Sequence, residues 1–242
     1  MPPVRNNPMV GLVAQVTLLL VLAATAGLGP LGAIAGLGYG LAVFALLNRA
    51  MRRVEAGALG PADWVTLTRA TLVGGITALV ADSIDRSAPV AVLVAMCTVA
   101  LVLDGVDGMV ARRTGTVSSL GARFDMEVDA FLILVLSLYM SWSMGGWVLA
   151  IGAMRYAYVV ASWVLPWMRV QLPPRYWRKV VAALQGIVLV IAVSQVLPAP
   201  VATAGVVVGL ALLIESFGRD IAWQWRHAPR PAEVPSSTVD AR

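Results

Sequence analysis

Hydrophobic residues along this chain gather into eight long runs, near residues 9–28, 31–48, 67–81, 89–111, 124–143, 146–167, 180–197 and 200–217. A helix needs about 20 apolar residues to cross the hydrocarbon core, with a working range near 17–25. The run at 67–81 is short and gains length from an amphipathic start around Asp63. The pattern predicts an all-α, polytopic membrane helix bundle of eight spans. The first run has Arg5 ahead of it and Ala24-Thr25-Ala26 near its end, as a cleaved signal would. Its length, and a second span following almost at once, favour an uncleaved helix.

Composition strengthens this picture. Hydrophobic residues make up 59% of the chain and charged residues only 13%, against about 25% charged in a soluble domain. Mean hydropathy is +0.82. So much apolar surface cannot be hidden in one soluble core of this size, whereas lipid accepts it.

The net charge of +5 suits a membrane protein whose cytoplasmic loops are basic. With a cytoplasmic N-terminus and eight alternating spans, all but two of the 18 Lys and Arg fall inside. The exceptions are Arg86, in the Asp82–Pro89 loop, and Arg155, within a span. No basic stretch alternates with aromatics, so no nucleic-acid partner is expected. Cys97 and His227 are the only residues of their kinds, which argues against an internal disulfide, zinc ligation or histidine catalysis. The tail 228–242, rich in Pro and Ser, is expected to be disordered.

The informative polar residues lie in LDGVDGMVARRTGTVSSLGARFDMEVDA, residues 103–130. Asp104 and Asp107 are three apart, and Asp125 and Asp129 four apart, so each pair shares a helix face. A polar link from Arg113 to Ser119 suits a hairpin that brings both pairs to one membrane depth, near the cytoplasmic face. Four carboxylates gathered in a low dielectric repel one another, and some take up protons unless a cation is present. Oxygen-only ligands favour Mg²⁺, Mn²⁺ or Ca²⁺, and paired metals suit phosphoryl chemistry. Gly105, Gly108 and Gly121 would let a polar substrate approach the backbone, although helix packing explains such glycines equally well. Scattered acids at a solvated helix end suit Asp82 and Asp85 but fit this regular spacing poorly.

The pattern Asp104-x2-Asp107-Gly108-x2-Ala111-Arg112-x8-Gly121-x3-Asp125-x3-Asp129 resembles, at every fixed position, the signature of the CDP-alcohol phosphotransferase family. That resemblance implies a six-helix core over 60–227, preceded by two further transmembrane helices in 1–59. It implies attack by an acceptor hydroxyl on the β-phosphorus of a CDP-linked donor, commonly CDP-diacylglycerol, with release of CMP. It makes Asp104, Asp107, Asp125 and Asp129 ligands of two Mg²⁺ or Mn²⁺ ions, and Asp129 also the general base. Gly108, Ala111, Arg112 and Gly121 would line the CDP site. Upstream, Asp63-x2-Thr66-x2-Arg69 is similar to the family's Asn-x2-Thr-x2-Arg element, which helps hold the nucleotide. Asp63 stands where Asn is usual, so it could bind metal, read cytosine's amino group, or simply cap the helix.

On the acceptor side, RVQLPPRYWRKVVAALQG places Arg175, Arg178 and Lys179 after the sixth span. With Arg155 they are expected to converge on a cytoplasmic cavity. In the family, basic residues here accompany phosphorylated acceptors such as inositol phosphate or glycerol 3-phosphate. Positive-inside topology and lipid headgroups account for the loop residues equally, but not for Arg155, which needs an anionic partner within its span. The family's Gly-Lys…Thr-x2-Gln segment survives only as Lys179 and Gln185, with Ala182 in place of Thr. The resemblance further implies phospholipid biosynthesis by a homodimer in the inner (cytoplasmic) membrane, with the site facing the cytoplasm. An ion- or proton-coupled transporter also uses intramembrane carboxylates and glycine-rich helices, but it gives no reason for Arg112, Gly121 and the spacing. A catalytically silent lipid-binding scaffold gives no reason for four aspartates.

Overall fold

A computed structural model describes the backbone of residues 9–54, 61–114 and 119–228, and the side chains of residues 9–49, 64–106 and 121–228. Eight α-helices follow one another: α1 Met9–Ala26, α2 Pro30–Val54, α3 Pro61–Asp82, α4 Val90–Thr114, α5 Ser119–Met144, α6 Leu149–Val164, α7 Tyr176–Ser194 and α8 Ala199–His227. Short 3-10 turns precede and follow α6, and no strand occurs among the described residues. The expected tail disorder falls outside the described residues.

The protein is an all-α, polytopic helix bundle. Among the described residues, six helices are long and apolar enough to cross a membrane on those grounds alone. The other two are the helices that carry the acidic motif. Helix α4 is apolar over Val90–Val106, as far as its side chains are described, and α5 has Asp125, Glu127 and Asp129 in its first half. Leu20, Ile34, Leu46, Val164, Val207 and Ile214 all face outward, as a surface solvated by lipid requires.

Breaks between helices have local causes. Gly27 turns the chain at φ +68°, a conformation that L side chains avoid. Proline then opens both α2 and α3, where its missing N–H costs nothing. Gln195 in the left-handed region stops α7 two residues before its apolar run ends.

Helix α3 is the centre of the bundle. Its spanning window is 61% buried against 22% for α1, and it packs on α1, α2, α4 and α5. Close approaches depend on glycine. A Cβ on Gly32 of α2 would meet the Ala78 carbonyl of α3, and one on Gly152 of α6 would strike the Leu134 backbone of α5. The two N-terminal helices are therefore packed into the bundle through α3.

Asp82, expected to be merely solvated, and the loop residue Arg86 are structural. Asp82 Oδ1 accepts the Gly29 N–H at 3.0 Å, and Arg86 Nη1 donates to the Gly27 carbonyl at 2.8 Å. Together they clip the α1–α2 turn to the end of α3. Gln185 is buried as well and donates to the Gly209 carbonyl of α8 at 2.7 Å, which stitches α7 to α8.

The last two helices differ from their apolar runs. Helix α7 begins at Tyr176, so Arg178 and Lys179 lie in its first turn and Arg175 is its N-cap. Helix α8 continues ten residues past the expected end at 217, to His227. The extension is amphipathic: Ser216, Asp220 and Gln224 recur at fourfold spacing and are all buried. A hydropathy run ends where polar residues start, but a helix continues while one face finds partners.

Candidate active site

The site lies at the end of the bundle where α3 and α5 begin and α4 finishes. Helix α4 contributes Asp104. Helix α5, running the opposite way, contributes Asp125 and, one turn later, Asp129. Each of the three offers a carboxylate oxygen within 4.8 Å of the others. Their side chains are 38%, 30% and 41% exposed, while Arg69 beneath them is 1% exposed. The carboxylates are thus partly open to the outside, with a buried guanidinium beneath them.

Arg69 reaches this position from α3. Its Nη1 lies 3.1 Å from Asp104 Oδ1 and also pairs with Asp125, while Nη2 pairs with Asp129. The forked guanidinium can face several carboxylates at once, as an ammonium cannot. The sequence places Arg69 among loop cations and among the residues that hold the nucleotide. In the fold it is a core residue whose partners are the motif's own aspartates. One cation against three carboxylates still leaves the cluster acidic.

Thr66, buried one turn before Arg69, and Gly121, half-buried in the first turn of α5, lie near the same end. Asp63 is on α3, and Asp107, Gly108, Ala111 and Arg112 are on the last turns of α4. Their side chains lie outside the described residues, as does most of the expected hairpin turn.

The basic residues expected to converge on one cavity pair with different acids. Arg155 of α6 pairs with Glu127 of α5 at 2.5 Å. Its anion is therefore supplied by the protein, from the position between Asp125 and Asp129. Arg178 lies 3.5 Å and Arg175 4.0 Å from opposite carboxylate oxygens of Asp220. Lys179 is exposed.

Three contacting residues escaped sequence reasoning. Glu127 had a visible signal, since it is an acid inside the motif, but the motif treats its position as variable. Tyr39 of α2 stacks on Phe131 of α5 with centroids 4.9 Å apart and lies within electrostatic range of Arg69. A single tyrosine in a glycine-rich run gives no sign of that. Asp220 lies beyond the last apolar run, where an acid looks solvated.

The donor set tests what the cluster can hold. It consists of carboxylate oxygens alone, converging from two helices within 4.8 Å, which fits a hard divalent cation and not a thiolate- or imidazole-seeking metal.

Fold, motif and acidic cluster suit a membrane-embedded transferase that uses an activated diphosphate donor. The chain belongs to the CDP-alcohol phosphatidyltransferase family, whose model matches residues 59–215, more than half its length. Membership implies transfer of a phosphatidyl group from a CDP-alcohol to an acceptor. No curated protein and no solved structure matches the chain.

Proposed function

We propose that this protein transfers a phosphatidyl group from CDP-diacylglycerol to the hydroxyl of a phosphorylated alcohol, such as glycerol 3-phosphate or inositol phosphate, releasing CMP. The observation that carries this reading is the convergence of Asp104, Asp125 and Asp129 around Arg69, from helices that bear the family motif.

Asp104, Asp107, Asp125 and Asp129 would hold two Mg²⁺ or Mn²⁺ ions. When bound, these ions neutralise phosphate oxygens and make a nearby hydroxyl more acidic. The chain's own residues do the rest. Asp129 takes the acceptor's hydroxyl proton, as that oxygen forms its bond to the donor's β-phosphorus and the bond from that phosphorus to the CMP oxygen breaks. Asp129 then returns the proton to water on its open side. Thr66, Gly108, Ala111, Arg112 and Gly121 flank the nucleotide, with Asp63 near its base. Arg69 draws the carboxylates together beneath the reacting phosphate. The same positive-inside balance that orients the helices supports an inner-membrane enzyme with its site facing the cytoplasm, where CMP and a soluble acceptor exchange. A homodimer agrees with the family's habit.

The acceptor's phosphate is assigned to Arg175, Arg178 and Lys179. Arg155 has a second place, because Glu127 already balances its charge. Arg155→Ala is expected to raise the acceptor KM about tenfold, the low end for one charge-assisted contact, with the donor KM unchanged. Steady-state kinetics with each substrate varied in turn checks this, and an unchanged acceptor KM removes Arg155 from the acceptor site.

The test of the function is CMP release by purified protein supplied with CDP-diacylglycerol, Mg²⁺ and a panel of alcohols with and without phosphate. Release that requires one alcohol supports the enzyme and names its acceptor. Ion flux into sealed vesicles without CMP release would support a transporter instead.

A further inference from the structure

The extension of α8 past the family match at residue 215 has no expected part in the reaction, yet it holds a buried charge. Asp220 is 6% exposed, and the groups facing it are Arg175 and Arg178. Burying a carboxylate is costly unless it is paired, so the pairing with these arginines explains why it is tolerated. The first turn of α7 contains no acid of its own, although a helix N-terminus disfavours the cations that stand there. Asp220 supplies the missing negative charge from a neighbouring helix.

The surrounding bonds hold this arrangement still. One turn further along α8, Gln224 is 2% exposed and donates to the Met168 carbonyl at 2.7 Å and the Val170 carbonyl at 2.9 Å. Its Oε1 accepts from Tyr158 of α6 at 2.8 Å. Arg178 also donates to the Pro173 carbonyl, and Arg169 caps the end of α6 through the Ser162 and Trp163 carbonyls. The connection between α6 and α7 is thus tied at both ends to α6 and α8. Tyr158 lies one turn after Arg155 on α6, and Arg155 reaches Glu127 of α5, between the site's aspartates. The tie therefore runs back to the catalytic end of α5. Arg175 and Arg178 keep about a third of their side chains exposed, 34% and 30%. Two cations against one carboxylate leave a net positive charge.

We propose that Asp220 is a positioning residue, which holds Arg175 and Arg178 in the geometry that binds the acceptor's phosphate monoester. It touches neither substrate nor reacting atoms. It acts by fixing two flexible side chains before the acceptor arrives, which lowers the entropy lost on binding. This rests on the phosphorylated-acceptor reading above.

The test uses the full chain in nanodiscs, with CDP-diacylglycerol as donor and sn-glycerol 3-phosphate or myo-inositol 1-phosphate as acceptor. Asp220→Ala is expected to raise the acceptor KM about tenfold, with kcat and donor KM changed by less than about twofold. Asp220→Asn keeps an acceptor oxygen in place and is expected to recover part of the loss. It carries the test if the alanine variant does not fold. An unchanged acceptor KM overturns the positioning role. So does a lower one, since Asp220 would then be competing with the phosphate, and so does a fall in kcat without a change in KM. An effect seen only in anionic nanodiscs assigns the arginines to lipid headgroups and also overturns it. The acceptor reading fails separately if the wild type uses glycerol or myo-inositol as well as their phosphates, whatever the variants do.

Discussion

Asp129→Asn is expected to lower turnover by at least about 10²-fold, within the 10²–10⁴ typical of general-base catalysis. The substitution keeps the size of the side chain and one oxygen, but it removes both the negative charge and the basicity. Asp129 is well placed for the role because its carboxylate is 41% exposed while Arg69 contacts it from below. Substrate can therefore approach from the open side. The donor should still bind in part, since Asp104 and Asp125 remain. Single-turnover CMP release and donor binding, measured on the same folded preparation, separate the two effects. Near-normal turnover would show that another group takes the proton.

Chelation is expected to stop turnover and yet leave the fold standing, and Arg69 is the reason. Three half-buried carboxylates lie within 4.8 Å of one another, and without a compensating cation they would repel one another. The Arg69 guanidinium, 1% exposed, pairs with all three. In EDTA the wild type should lose CMP release completely and regain it with Mg²⁺ or Mn²⁺, while its thermal midpoint moves little. Arg69→Ala should behave differently, because removing one partner of a buried charge group typically costs 3–5 kcal/mol. The aspartates are a third exposed and water screens them, so about 3 kcal/mol is the expected loss. Added Mg²⁺ should then raise the midpoint of Arg69→Ala more than that of the wild type. Thermal unfolding in detergent, with and without chelator, reads this directly. Full turnover in chelator would overturn the metal-dependent mechanism, and an Arg69→Ala protein as stable in EDTA as the wild type would remove Arg69 as the counter-charge.

The eight helices were legible because membrane spans announce themselves one at a time. Most are apolar runs of suitable length, and the backbone bonds of each close within the segment. The pairing of Asp125 with Asp129 was legible for a similar reason, since four residues is one helical turn. The partners of Arg69 were not. Its position three residues after Thr66 places it on a face of α3, but which face meets α4 and α5 depends on how glycine contacts such as Gly32 against Ala78 set the packing of α2 on α3. The length of α8 was hidden as well. Ser216, Asp220 and Gln224 look like the polar residues that end a span, and only the tied connection below them makes them a buried face.

What the sequence by itself determined is the class of protein and the spacing of the acids at its centre. Apolar run length forces a helical bundle in lipid, a set of aspartates at helical spacing within it calls for a cation, and the match of that spacing to the family's motif gives the donor class. Only the tertiary structure decided which charges meet. Arg69 joins the aspartates and not a loop, Arg155 joins Glu127, and Arg175 and Arg178 join Asp220. The physical reason lies in range. Run length and helical spacing are local properties, set within a few turns of one segment. The partner of a buried charge is set by the crossing of helices far apart in the chain, where small residues decide how closely backbones approach and therefore which side chains come within reach.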